Sequence, residues 1–198
     1  MAPTKASVYT NYLPSSYNKV NDRSDMDILA DHFSNDTDVI VSYAKNNLIE
    51  LRDNYSLYFP RDTHWTSIGA LVALDPVFSQ LGLSVPDSFS EYNIVQGEIV
   101  EMDLPNLCGL YDVFPPCHDY VVADYSYTRD PRSVVVMGDS YSLFFMNYLN
   151  ARFSGVERYD IRSTDLYTAI ASQPDILILE ANEEYLQALI NMIVNNSL

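Results

Sequence analysis

The chain is short of positive charge, of histidine and cysteine, and of long apolar runs. Only 11 of its 198 residues are Lys or Arg, against 27 Asp or Glu, a formal net charge of −16. Phosphate binding needs clustered basic side chains, so the composition argues against a nucleic-acid partner. Any polymer the chain handles is expected to be neutral rather than polyanionic. Arg152, Arg158 and Arg162 remain as candidates for a local basic wall. No segment approaches the roughly 20 consecutive apolar residues of a membrane span, and no charged start followed by an apolar stretch marks a signal peptide. Met1-Ala2-Pro3-Thr4 reads as a start set just before a structured region, with an export signal or anchor cut away.

Two further scarcities limit the chemistry. Of the three histidines, His32 and His118 have no partners at a metal-ligand spacing, so no metal centre is expected. The acidic run at 21–27 lacks the glycine and distal glutamate of an EF-hand and reads as a solvated helix start. The two cysteines, Cys108 and Cys117, flank a Pro-containing loop. Either they form a disulfide worth about 2–4 kcal/mol, which requires an oxidising compartment, or they are free thiols. Sequence does not give the Cα separation that decides between the two.

With 47% hydrophobic residues, of which the aromatics supply 13% of the chain, 198 residues can bury one sizeable core. A single domain over 1–198 is expected. Short β-rich runs alternate with helical patterns: a strand at Val8 to Leu13, a helix at Asp25 to Phe33, a strand at Val39-Ile40-Val41, and a helix at Ala44 to Arg52. A helix from about Thr66 to Leu81 follows, with Thr66 or Ser67 as its N-cap. Residues 84–131 break the rhythm with five prolines at 86, 105, 115, 116 and 131, and read as an irregular insertion containing a hairpin. Ser133 to Met137 then has the continuous apolar character of a central parallel strand covered on both faces. After it come a helix from Tyr141 to Phe153, a strand near Arg158 to Ile161, and a helix at Asp165 to Ala171. The strand Ile176 to Leu179 and a helix from Glu183 to Val194 close the chain. This alternation predicts a three-layer α/β/α sandwich with a mainly parallel, flavodoxin-like sheet.

Ligands of such sheets sit beyond the carboxyl ends of the strands. Gly138-Asp139-Ser140 falls there, at the end of the strongest apolar strand and the start of a helix. The Ser140 N–H is then one of the unpaired donors of a helix start, placed to help an oxyanion while Oγ attacks a carbonyl. Asp62-Thr63-His64-Trp65 supplies the other groups a serine nucleophile needs: an imidazole to take its proton and a carboxylate to orient that imidazole. Asp62 and His64 are two apart, so in a locally extended segment both project to one side. Each string alone has a plain structural reading, as a helix cap or a loop with a packed Trp. Together they point to acyl transfer. Trp65, Tyr141 and Arg162 are candidate substrate contacts; Trp65 needs an exposed face to act as a sugar platform.

The two strings, with Gly69 in the helix after the first and Ser142 closing the second, resemble the alginate O-acetyltransferase (AlgJ/AlgX-like) branch of the SGNH hydrolase superfamily. They are also similar to the related group named for an Asp-His-His-Trp motif. The acid–imidazole string precedes the serine string here, as in that branch and opposite to ordinary SGNH hydrolases. The resemblance implies an SGNH hydrolase-like sheet, Ser140 as nucleophile, His64 as base then acid, and Asp62 as orienting carboxylate. It also implies no cofactor, an extracytoplasmic setting, a polysaccharide acceptor, and an acetyl donor delivered by a membrane-bound partner protein. Asp139 stands where the alginate enzymes tend to have Thr, and Thr63 where the motif-named group has His. Three readings follow: an O-acetyltransferase, a carbohydrate acetylesterase with the same triad, and a catalytically silent carbohydrate-binding module.

Overall fold

A computed structural model describes residues 1–17, 21, 23–36, 38–100, 103–110 and 112–195. Its centre is the strand expected from the valine run, β3 (Asp130–Gly138), here numbered after the hairpin strands β1 (Ile94–Val100) and β2 (Cys117–Val122). Strand β3 lies between β4 (Phe153–Asp160) and β5 (Ile176–Leu179), and both pairings are parallel. Side chains alternate across a strand. Val134 and Val136 enter one hydrophobic cluster, while Val135 and Met137 enter a second. A strand buried on both faces has no polar alternation to show, which is why the run is uninterrupted.

Among the described residues eight helices accompany the strands: α1 (Lys5–Val8), α2 (Asp25–Asp36), α3 (Lys45–Leu51), α4 (Ser67–Gln80), α5 (Asp103–Leu107), α6 (Met146–Arg152), α7 (Leu166–Ile170) and α8 (Leu186–Asn195). The first cluster draws Leu48 from α3, Ile68, Leu71 and Phe78 from α4, and Leu149 from α6. The second draws Ala169 from α7 and Leu189 from α8. The fold is therefore α/β, built on one small parallel sheet of three strands among the described residues.

Helix α4 starts where its cap predicts. The Thr66 side chain accepts the Gly69 N–H at 3.2 Å, and the Thr66 N–H reaches Leu57 O at 3.0 Å. Gly69 allows that approach, because a Cβ there would sit 2.2 Å from Leu57 O.

Three expectations are corrected. Val8 to Leu13 is not a strand: Thr4 caps α1 by accepting the Ser7 N–H, and Thr10–Tyr12 continues as a 3-10 turn. Local capping outweighs the β-prone composition there. Val39 to Val41 lies outside every strand of the described residues, with Val39 and Ile40 exposed rather than buried. The strand expected near Arg158 begins earlier, at Phe153, because the exposed Ser154, Gly155 and Glu157 interrupt its apolar residues and so hide its first half.

Residues 84–131 hold the antiparallel pair β1–β2, whose register shifts between Gln96 and Ile99, with α5 between the strands. Buried Asp119 on β2 accepts the Ser67 N–H at 2.8 Å and the Ser67 hydroxyl at 2.5 Å. A carboxylate at the start of α4 complements that helix's dipole and fixes the hairpin to it. Cys108 and Cys117 are free thiols, exposed and half-buried respectively, so the disulfide reading is not realised.

Candidate active site

The segment Leu57 to Thr66 doubles back on itself. Phe59 N–H reaches His64 O at 3.2 Å, and Tyr58 bridges Trp65. Its tip presents Asp62 and His64 through a turn rather than an extended strand. Asp62 Oδ1 accepts the His64 backbone N–H at 2.8 Å and lies 2.6 Å from His64 Nδ1. An aspartate that hydrogen-bonds the backbone two residues on stabilises such a turn, and here the same oxygen also orients the imidazole. The far ring nitrogen, His64 Nε2, lies 2.7 Å from Ser140 Oγ. Asp62, His64 and Ser140 are thus brought into one continuous relay.

Protonation follows from this arrangement. Burial works to raise the Asp62 carboxyl, but hydrogen bonds from the His64 ring, the His64 N–H and the Asp103 N–H outweigh it, leaving Asp62 below its ordinary value. Burial likewise works to lower His64, and the bond and charge of Asp62, with the charges of Asp103 and Asp139, outweigh it and raise the imidazole.

Ser140 opens the 3-10 turn Ser140–Phe145 directly after β3, with Asp139 as its N-cap. Asp139 is fully buried. Its Oδ1 accepts the Tyr141 N–H and its Oδ2 the Asn182 N–H, both at 2.8 Å. The Asp139 N–H goes to Glu180 Oε2 at 3.1 Å. Among the described residues no acceptor takes the Ser140 N–H, which stays available beside its own Oγ. Gly138 is required by space: a Cβ there would sit 2.7 Å from Glu180 Oε2 and 2.8 Å from Ser142 Cβ.

Sequence reasoning missed the groups that hold this turn. Arg158 Nη2 donates to Asp139 O at 2.7 Å and Gly138 O at 3.3 Å, and its Nε donates to Ser142 Oγ at 2.7 Å. Glu180 lies buried below the turn, and burial together with Asp139 drives its carboxyl well above the ordinary value. Asp103, at the start of α5, gives its N–H to Asp62 Oδ2 at 2.8 Å. No spacing in the sequence links these three to the serine; the parallel register sets Arg158 opposite Val136, Glu180 follows β5 with its N–H on Met137 O, and Asp103 comes from the segment between β1 and β2.

The three candidate substrate contacts are placed differently from expectation. Trp65 is 1% exposed, with its Nε1 donating to Tyr141 O at 2.9 Å, so it has no open face for a sugar. Tyr141 is buried too, and its hydroxyl donates to Thr63 O at 2.5 Å. Both side chains staple the Asp62–His64 loop to the serine turn, and the Tyr141 ring packs 4.9 Å from the His64 ring. Arg162 forms a two-point pair with Asp160, at 2.8 and 2.6 Å, instead of reaching the serine turn. The basic wall does not form: Arg152 is buried against the Tyr127 and Phe78 rings while Arg158 and Arg162 make the separate contacts given above.

Among the described residues, one group has donor atoms close enough to share a metal ion: Asp62, His64 and Asp103, within 4.8 Å of one another. A metal on His64 Nδ1 would displace the Asp62 hydrogen bond, so that use and the relay exclude each other. His118 Nδ1 instead lies 3.2 Å from Gly97 O within the hairpin, and the His32 ring lies against Phe33.

Residues 1–110 match the family model described as SGNH hydrolase-like domain, acetyltransferase AlgX. The chain belongs to this AlgX family. In solved structures the likeness of fold extends over the remaining residues. The O-acetyltransferase domain of Pseudomonas putida AlgJ aligns over 97% of this chain and 80% of its own, at TM-score 0.62 and 19% identity. A DHHW family protein from Eubacterium siraeum aligns over 100% and 81%, at TM-score 0.69 and 18% identity. Bacillus cereus PatB1, solved with a sulfonyl adduct, aligns over 93% and 81%, at TM-score 0.61 and 13% identity. At these identities the likeness is one of fold. No curated protein matches the AlgX-family chain in sequence. No helix among the described residues is long and apolar enough to cross a membrane.

Proposed function

We propose that the chain is a serine-dependent O-acetyltransferase acting on an extracytoplasmic polysaccharide, with residues 1–198 forming one three-layer α/β/α domain into which 84–131 is inserted. The observation that carries the reading is the relay itself: Ser140 Oγ at 2.7 Å from His64 Nε2, and His64 Nδ1 at 2.6 Å from Asp62. Membership of an acetyltransferase-named family supports the acyl group as acetyl.

In the first half-reaction Ser140 Oγ attacks the acetyl carbonyl of the donor while its proton passes to His64 Nε2. The Ser140 N–H helps stabilise the oxyanion. Collapse breaks the bond to the donor's leaving group, which takes the proton from His64. In the second half-reaction a sugar hydroxyl attacks the acetyl-serine and gives its proton to His64. Collapse then breaks the acetyl–Oγ bond and returns that proton to Ser140. Asp62 stays ionised and stabilises the imidazolium formed in each half. The donor is delivered by a membrane-bound partner, and no cofactor enters either half-reaction.

Turnover of 4-nitrophenyl acetate by the wild type, Ser140→Ala and His64→Ala tests the reading. Either variant is expected to fall by a factor on the order of 10³ or more. A sulfonyl fluoride should add covalently to the wild type and not to Ser140→Ala, read by mass spectrometry. Wild-type turnover no greater than that of the variants would sink the reading and leave a silent sugar-binding module. Product analysis with oligosaccharide present separates transfer from hydrolysis: free acetate alone identifies an esterase.

A further inference from the structure

Beside the relay lies a groove of about 350 Å³ whose lining includes Asp62, Thr63 and Tyr141 together with Tyr9, Tyr12 and Leu13 from the N-terminal region. That volume is at the lower end for a ligand cleft. Tyr9 and Tyr12 are three residues apart across a 3-10 turn, where side chains at that spacing eclipse. Their rings stack with centroids 5.9 Å apart and planes 25° from parallel. Tyr12 is 77% exposed and so offers an open aromatic surface.

The stack is fixed to the loop that carries the relay. Tyr9 packs edge-on against Tyr58 at 5.9 Å, the Tyr58 hydroxyl donates to Pro3 O at 2.6 Å, and Tyr58 bridges Trp65. The groove is acidic where it is charged. Among its described lining residues Lys5 is the one cation, against the two acids Asp62 and Glu184. The Lys5 ammonium donates to Phe59 O and Asp62 O, leaving it poorly placed to receive a carboxylated sugar. Exposed Thr63 lies at the same surface.

We propose that the Tyr9–Tyr12 groove is an acceptor subsite that takes one neutral pyranose ring of a glycan against the open face of Tyr12. This rests on the acyl-transfer reading above, because the bound ring would present a neighbouring sugar hydroxyl to the acetyl-serine. The aromatic face suits the C–H side of a sugar ring. The surrounding acidic groups and the committed Lys5 select against a polyuronate.

The test is binding of the full chain to an array of pentasaccharides, comprising neutral gluco-, manno-, galacto- and N-acetylglucosamine oligomers alongside polyuronates. The variants are Tyr12→Ala and Tyr12→Phe, each checked for an unchanged thermal midpoint. At least one neutral oligomer should bind the wild type, bind Tyr12→Ala roughly three- to tenfold more weakly, and bind Tyr12→Phe nearly as well as the wild type. No neutral oligomer bound, polyuronates alone bound, or equal binding by Tyr12→Ala would each overturn the subsite. Turnover of 4-nitrophenyl acetate reports on Ser140 without any glycan, so the two failures separate. Ser140-dependent turnover with a blank array removes the subsite alone, whereas Tyr12-dependent binding without Ser140-dependent turnover removes the acyl-transfer reading.

Discussion

Asp103 gives its backbone N–H to Asp62 Oδ2 at 2.8 Å and sets its own carboxylate 3.2 Å from His64 Nδ1. The residue lies between β1 and β2, 41 positions beyond the aspartate it supports. One side of the imidazole therefore faces two carboxylates.

Replacing Asp103 with Asn keeps the backbone bond and removes a charge that raises His64. A base must be neutral to accept the Ser140 proton, so activity climbs with pH through the His64 pKa, which lies above 6.5 in the native protein. Asp103→Asn is expected to move the acidic limb of kcat/KM for 4-nitrophenyl acetate to lower pH, with less than about a tenfold change in the plateau. A limb that stays in place would show that Asp103 acts only through its backbone.

Glu180→Gln should stabilise the protein in alkaline solution. Burial, then the nearby Asp139 charge, raises the native Glu180 carboxyl above the unfolded value of 4.5. A raised acid contributes stability in full below its unfolded pKa and loses it as pH rises toward the folded one. Glutamine does not titrate, so the variant should gain little at pH 4 and roughly 2–6 °C in Tm at pH 8. Its amide oxygen can still accept the Asp139 N–H. An equal shift at both pH values would contradict a titrating Glu180.

Arg158 and Arg162 should behave oppositely. Arg158 makes three hydrogen bonds to the serine turn, whereas Arg162 spends its guanidinium on Asp160. Arg158→Ala is expected to lower kcat for 4-nitrophenyl acetate by about 10–100-fold through misplacement of Ser140. Arg162→Ala should leave it within about twofold. Kinetics that reversed this order would restore Arg162 as the site arginine.

Chelation tests the competing use of the Asp62–His64–Asp103 group. If the three serve proton relay and support, dialysis against EDTA leaves ester turnover unchanged. Loss of activity restored by added Zn²⁺ would reassign the group to a metal and remove His64 as the base.

What the sequence revealed depended on whether the information was local. Strand β3 was legible because burial on both faces demands continuous apolar residues; β5 lies at a sheet edge with Leu177 exposed, and was legible because all four of its residues are apolar, so that Ile176–Leu179 matches its expected bounds. The first half of β4 was not, since Ser154, Gly155 and Glu157 leave only Phe153 and Val156 as apolar residues there. The candidates Asp62, His64 and Ser140, which the structure brings into one hydrogen-bonded chain, could be picked out because the proposed chemistry resides in residue type and motif. Trp65 and Tyr141 were singled out as sugar contacts, because sequence does not reveal that their polar atoms are used up holding the loop to the turn. Arg158, Glu180 and Asp103 act only after strand ends and a distant insertion meet.

The contact between His64 and Ser140 spans 76 positions of the chain. Closing so long a separation requires both the Leu57–Thr66 loop and the end of β3 to be in place, with Tyr141 and Trp65 docked between them. A refolding molecule can therefore recover its helices and its valine-rich strand and still be inert. On the proposed function, regain of ester turnover would time the docking of these two regions, which far-UV circular dichroism does not resolve.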